Sequence, residues 1–328
     1  MTHKLYDLLR RAYHNLNWGR RTVTTYRSLR RHFDPQYASL WVRQDAAARF
    51  HTSGEQRLTA EKNDHIKARL ASELQPLLEA CRDAACDGTA PHSRNIWVFW
   101  WSGFDTAPPI VRSAVRSIRT ETGREPILLD RTNYRQYVTI PDDICQKHDA
   151  GIIGHAHFSD IIRLSLLAKH GGLWVDATVF FSRPIPRSVL EQDFFTCKMA
   201  KNDPLIPSHY LWAGWLLGGD ATFPLFRFAA EALIQYWRNH DLVIDYLLMD
   251  YIFDLAYDHI PDVRRHIDAL SPCCPDRHEL MTHINAPYDP AFFDRDTWFY
   301  KLSYRYGAPK EKTSDGLLTF YGYLTSEE

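Results

Sequence analysis

The stretch HFSDIIRLSLLAKHGGLWVDATVF, residues 157–180, decides the fold. On a helical wheel of 158–169, Phe158, Ile161, Ile162, Leu164, Leu166, Leu167 and Ala168 run almost all the way round, the pattern of a buried helix. Asp160 and Arg163 are three apart and project from one narrow side of it. An unpaired charge in a buried setting is costly, so each must meet a partner or a ligand. The plain structural reading pairs the two with each other, or uses Ser159 or Asp160 as a helix cap. Gly171-Gly172 then ends the helix and turns the chain back. A short buried strand follows over 173–176, with Asp176 at its carboxyl end. Ligands of open α/β sheets bind outside the carboxyl ends of strands, where a carboxylate is placed to hold a divalent cation or a ribose hydroxyl. The turn lays helix and strand side by side, so Asp160 and Asp176 can reach one crevice. A lone Asp or a lone Asp-Arg pair is unspecific; the ordered series S-D-x-x-R…G-G-x-x-x-D is far more specific.

The flanking segments extend this into an alternation. NIWVFWW (95–101) is a short, intensely apolar run bounded by polar residues, a buried strand by its length. Gly103 and Pro108-Pro109 end it, and PPIVRSAVRSIRTETG (108–123) is an amphipathic helix with Pro109 in its first turn and Gly123 past its end. PILLD (126–130) predicts a second strand and YVTIP (137–141) a short extended piece. This order indicates an α/β fold with largely parallel strands. Residues 1–90 lack strand patterns and read as helices interrupted at Gly54 and Pro76. Beyond residue 205 the pattern is helical again, in FPLFRFAAEALIQYWRNH (223–240) and LVIDYLLMDYIFDLAYDHI (242–260), which are expected to pack beside the sheet.

Composition narrows the classes. The 328 residues are 45% hydrophobic and carry a net charge of −1, so the chain is no nucleic-acid binder by bulk electrostatics. No apolar run approaches the roughly 18 residues needed to cross a bilayer, and MTHKLYDLLRRAY lacks the apolar core of a signal peptide. A soluble, cytoplasmic protein is expected. Residues 1–31 hold eight Lys or Arg against one acid, Asp7, among apolar residues. Such a segment either lies on an anionic membrane surface, making the protein peripheral at the inner face, or packs as a solvated helical face. The six cysteines lack zinc-site spacing, though Cys81 and Cys86 have His92 nearby, and free thiols are expected.

SDIIRLSLLAKHGGLWVDATVF resembles the sugar-nucleotide region of the capsular-polysaccharide-synthesis and glycosyltransferase sugar-binding (DXD-containing) families, which share a GT-A fold with the glucosylating toxins. NIWVFWWSGFDTAPPIVRSAVRSI resembles the first strand and helix of that fold, and PILLDRTNY its second strand and following loop. The resemblance covers residues 92–190 well and 205–305 loosely. It implies a GT-A, Rossmann-like nucleotide-sugar-binding fold over 91–328, with a nucleotide-sugar-binding half (91–200) and an acceptor-side helical half (201–328), behind a helical, basic N-terminal extension (1–90). It implies that Trp100 stacks on the nucleobase, that Asn133 sits over the nucleoside, and that Asp160 hydrogen-bonds the donor sugar or ribose. Arg163 would meet the donor's sugar or phosphates, Trp174 would line the same wall, and Asp176 would be the first carboxylate of the DXD element, near ribose and metal.

The sequence departs from that pattern at the second acid, where Asp176-Ala177-Thr178 puts a threonine. Residues two apart on a strand face the same side, so Thr178 takes the ligand position if strand pairing continues. A hydroxyl is a much weaker ligand for Mg²⁺ or Mn²⁺ than a carboxylate. His155 and His157 lie just upstream and read more simply as polar loop residues before the helix cap. The glycine-rich loop after the first strand is reduced to Ser102-Gly103. In 242–260, Asp250, Asp254 and Asp258 form a stripe that reads as a solvated face, while Asp245 falls at the edge of an apolar arc and is a weak catalytic candidate. Trp212 and Trp215 suggest an acceptor platform or core. The resemblance implies a retaining glycosyltransferase that moves a hexose from a nucleotide sugar, UDP-linked by expectation, to capsular or other cell-surface polysaccharide. The alternative is a degenerate GT-A domain that binds nucleotide sugar or glycan without turnover.

Overall fold

The computed structural model describes residues 18–88, 92–305, 307 and 309–326. Its centre is a five-stranded sheet of order β2-β1-β3-β6-β5, made of β1 (Ile96–Phe99), β2 (Ile127–Leu129), β3 (Gly172–Val175), β5 (Phe194–Thr196) and β6 (Leu216–Gly219). A two-stranded ribbon, β4 (Val179–Phe181) with β7 (Phe299–Lys301), stands beside it. β1 runs parallel to both β2 and β3, whereas β3–β6 and β6–β5 are antiparallel. The sheet is therefore mixed rather than largely parallel. Parallel pairing needs a long crossover, and helical connections supply one before β2 and another before β3.

Strand periodicity divides the core in two. Trp97, Phe99, Trp174 and Leu217 face one side, and Ile96, Val98, Leu173 and Leu216 the other. Four early helices, 18–32 (α1), Pro35–Phe50 (α2), Glu55–Glu73 (α3) and Gln75–Cys81 (α4), belong to the first side. Tyr37, Ile66 and Leu70 bury into the same cluster as Trp237 and Ile252, so one apolar core runs across residue 90. Residues 1–17 of the basic segment lie outside the described residues. Its remainder is helical, and Trp18 donates to Asp45 of α2 at 2.7 Å. Among the described residues no helix is long and apolar enough to cross a membrane.

α5 (Pro109–Thr122) joins β1 to β2 on the second side, and Leu129 leads through a single 3₁₀ turn to α6 (Asp142–Asp149). No strand forms over 137–141. α7 (His155–His170) begins a turn earlier than its apolar pattern, so His155 and His157 are helical rather than loop residues. Gly171 adopts φ 60°, ψ −157°, and a Cβ there would stand 2.8 Å from the carbonyl oxygen of Gly219. Only glycine permits that turn, which returns the chain directly into β3. Trp97 fastens it by donating its indole N–H to the Gly171 carbonyl at 2.9 Å.

α8 (Arg187–Leu190), α9 (Pro224–Asn239), α10 (Leu248–His259), α11 (Pro261–Ala269), α12 (Glu279–Thr282) and α13 (Phe320–Thr325) complete the chain. α10 starts at Leu248, not near 242, because the Asp245 carboxylate accepts the Leu247 N–H at 3.0 Å and holds a turn. The acidic stripe on α10 is a solvated face only at Asp258. Asp254 is buried against Lys67 of α3 at 2.6 Å, Asp258 shares that lysine at 2.7 Å, and Asp250 points into a cleft. α3 covers the face that the isolated helix pattern assigns to water.

Candidate active site

The chain passes from β1 to β2 on one side of β1 and then to β3 on the other, which makes the β1/β3 boundary the sheet's switch point. A cleft of about 920 Å³ opens there, at the carboxyl ends of β1 and β3, and is closed opposite by α10 and the segment after β7. Trp100, Asp160, Arg163, Trp174, Asp176 and Thr178 all line it. Asn133 and Asp245 do not. The Asn133 amide accepts from Asp130 N (2.8 Å) and donates to the Leu128 carbonyl (2.9 Å), closing the turn after β2. Asp245 pairs with Lys62 of α3 at 2.5 Å.

Arg163 is the centre of the site. Its Nη1 lies 3.2 Å from Asp160 Oδ1 and its Nη2 3.1 Å from Asp176 Oδ1, so one guanidinium joins the helix acid to the strand acid. Its Cζ stands 4.9 Å above the Trp174 ring, a cation–π contact, and the indole N–H of Trp174 donates to Asp176 Oδ1 at 2.9 Å. The second oxygen of Asp176 accepts from Lys301 Nζ at 2.8 Å, and the same ammonium donates to Thr178 Oγ1 at 2.8 Å. Strand pairing stops before Thr178; a turn closed by Val179 N–H to Asp176 O (2.9 Å) brings Thr178 and Asp176 to the same point instead.

Asp250 enters from α10 and accepts the indole N–H of buried Trp212 at 2.9 Å. Trp215 lies under Lys301, whose Nζ is 5.5 Å from its ring centre. Both tryptophans line the cleft. His155 stacks on Trp101 at 5.0 Å and bonds His148 at 2.9 Å. His157 is buried between Trp237 and Tyr246, and burial holds its imidazole below its ordinary pKa.

The acids differ in charge state. Burial pushes Asp160 up to about 7, against Arg163, with Asp176 and Asp250 adding repulsion. Burial pushes Asp250 up to about 6, against the Trp212 bond and Arg163. Asp176 is also desolvated, but Lys301 and Arg163 outweigh that and hold it below the ordinary value. The charge on Asp160 thus costs stability. A carboxyl whose pKa is raised on folding is neutral in both states below its unfolded value of 3.8; its cost to the fold builds as pH rises from there to about 7 and stays level above that, where both states are ionised. Asp160→Asn removes that term. Its stability advantage over wild type is expected to widen by about 3 kcal/mol between roughly pH 5 and pH 8.5 in urea titrations, with nearly all of the change complete by about pH 7.5. A gap that stays flat would mean that Arg163 already neutralises the charge.

The mixed α/β sheet with its cleft at the switch point defines a Rossmann-like protein of the GT-A kind. The chain belongs to the capsular polysaccharide synthesis protein family, whose model matches residues 47–324. It is similar to the O-glycosyltransferase braB of Annulohypoxylon truncatum, 28% identical over 37% of this chain and 30% of that protein. It is similar also to the O-glycosyltransferase PaGT of Phomopsis amygdali, 25% identical over 44% of this chain and 39% of that protein. The chain thus spans about a third of the length of these relatives. No solved structure matches it.

Sequence reasoning missed Lys301 and misplaced Asp250. A lysine closing a strand carries no local signal. Asp250 reads as part of a polar stripe, and only the packing of Trp212 against it shows that it turns into the cleft.

Proposed function

We propose that this chain is a retaining glycosyltransferase that takes a sugar from a nucleotide-sugar donor, UDP-linked in our reading, to a capsular or other cell-surface polysaccharide. The observation that carries this is the single guanidinium spanning Asp160 and Asp176 in a cleft at the sheet's switch point. Family membership and the two similar O-glycosyltransferases support it.

In such a reaction the bond from the anomeric carbon to the diphosphate oxygen breaks, and a bond to an acceptor hydroxyl oxygen forms on the same face. The acceptor proton passes to the departing phosphate oxygen, so no protein nucleophile is needed. The residues here must hold the donor, stabilise the negative charge that leaves and shelter a cationic sugar. Lys301 and Arg163 supply positive charge, while Asp160 and Asp250 offer acceptors to sugar hydroxyls. Incubation with a panel of nucleotide sugars, read by nucleotide release and by anomeric NMR of the product, tests this. Tight donor binding with neither hydrolysis nor transfer would instead establish the non-catalytic binder.

Trp100, just past β1, packs edge-on against Tyr304 at 5.0 Å, and its buried indole N–H has no partner in the protein. Such a ring suits a nucleobase, and stacking is worth about 1–3 kcal/mol. Trp100→Ala is expected to weaken UDP binding by at least about fivefold in calorimetry, with turnover at saturating donor little changed. An unchanged dissociation constant would take Trp100 out of the nucleotide site.

A further inference from the structure

A GT-A resemblance implies a divalent cation held at Asp176 and the residue two beyond it. Here the oxygens that converge on that point, Asp176 Oδ2 and Thr178 Oγ1, both hold Lys301 Nζ. The other Asp176 oxygen accepts from Arg163 and Trp174. Mg²⁺ and Mn²⁺ need several oxygen ligands gathered on one empty point. One carboxylate already bearing two cations, plus a neutral hydroxyl, does not fit that need. Among the described residues no group of three or more His, Cys, Asp or Glu is arranged to hold a metal ion.

The fold fixes the lysine in this position. β7 pairs with β4 so that Lys301 lies opposite Val179, and the next residue, Leu302, donates its N–H to the Thr178 carbonyl at 2.8 Å. On its other edge Lys301 N donates to the Arg277 carbonyl at 2.8 Å. Arg277 lines the same wall, is buried, and spends Nη1 on the Cys273 and Cys274 carbonyls, leaving Nε without a partner in the protein. An ammonium has three donors, and Asp176 and Thr178 take two of them; the third is left for a ligand.

We infer that Lys301 stands where a divalent cation would, and that its ammonium, backed by Arg163, meets the donor's diphosphate directly, so that binding and transfer proceed without metal. This rests on the nucleotide-sugar reading above. Charge-assisted hydrogen bonds from a desolvated ammonium suit a phosphate oxygen, and a 2+ ion would have to displace Lys301 against the field of Arg163.

Mn²⁺ followed by electron paramagnetic resonance, and inorganic pyrophosphate followed by calorimetry, test it. Wild-type protein is expected to leave Mn²⁺ in its free spectrum and to bind pyrophosphate in EDTA. Lys301→Met should weaken pyrophosphate by at least about tenfold, and Lys301→Arg, which keeps the charge, should retain most of the affinity. Mn²⁺ bound by wild type and released in Asp176→Asn would overturn the inference without any lysine variant. So would pyrophosphate binding that is absent in EDTA, or equal in Lys301→Met and wild type. Failure of the nucleotide-sugar reading looks different: pyrophosphate binds in EDTA and depends on Lys301, but neither UDP nor GDP binds more tightly than pyrophosphate.

Discussion

Asp176→Asn should reduce sugar transfer on the order of 10³-fold while the protein stays folded. Asp176 touches two of the cleft's cations, with Arg163 on one oxygen and Lys301 on the other. Asparagine keeps one acceptor but turns an N–H₂ toward one of them, so a donor faces a donor. The cations then lose their common anchor and swing from the positions where a departing diphosphate needs them. Lys301 is then left with no acid and Arg163 with Asp160 alone, which also costs stability, about 3 kcal/mol by the usual penalty for breaking a buried pair. Circular dichroism and a urea midpoint separate the two effects, since a folded variant at saturating donor reports on turnover alone. Full activity in a folded Asp176→Asn protein would remove Asp176 from the site and with it the functional proposal.

The parts of this site that were legible in the sequence are those fixed by local geometry. The buried helix, the Gly171-Gly172 turn and the strand ending on Asp176 follow from period and from a backbone conformation only glycine tolerates. Their nearness in sequence forces Asp160, Arg163 and Asp176 together. Lys301 is 125 residues from Asp176, and its place depends on the β4–β7 register. No window of sequence carries that information. Asn133 and Asp245 mark a different limit. Both are short polar side chains whose oxygens accept from nearby backbone N–H groups, the habit of Asn and Asp in turns, and a stricter reading of 130–133 and of 245–247 as turns would have kept them out of the candidate set. Asp250 and Asp254 fail for a third reason. A helix wheel reports which face is polar, but not that α3, through Lys67, and Trp212 cover the polar face and make it interior.

Arg163→Met is expected to be strongly damaging to stability, and it separates architecture from chemistry. Arg163 is 6% exposed, and its guanidinium compensates two acids at once. Its loss should cost about 3–5 kcal/mol and push Asp160 further toward its neutral form, because the attraction that now opposes burial disappears. Lysine is no substitute, since a single ammonium cannot reach both carboxylates as a planar fork does. The site is also cut to the shape of the fork. A Cβ on Gly214 would lie 3.0 Å from Arg163 Nη1 and 2.1 Å from Met249 Cε. The decisive comparison is the double variant Arg163→Met with Asp160→Asn. Removing the acid that arginine offsets should restore much of the lost stability, a coupling readable as a non-additive urea midpoint. Transfer should stay depressed on the order of 10²-fold, because the positive charge facing the departing diphosphate is still missing. If the double variant instead recovers activity along with stability, Arg163 merely neutralises a buried acid, and the charge that stabilises the leaving group has to come from the cleft's other cations, Lys301 first among them.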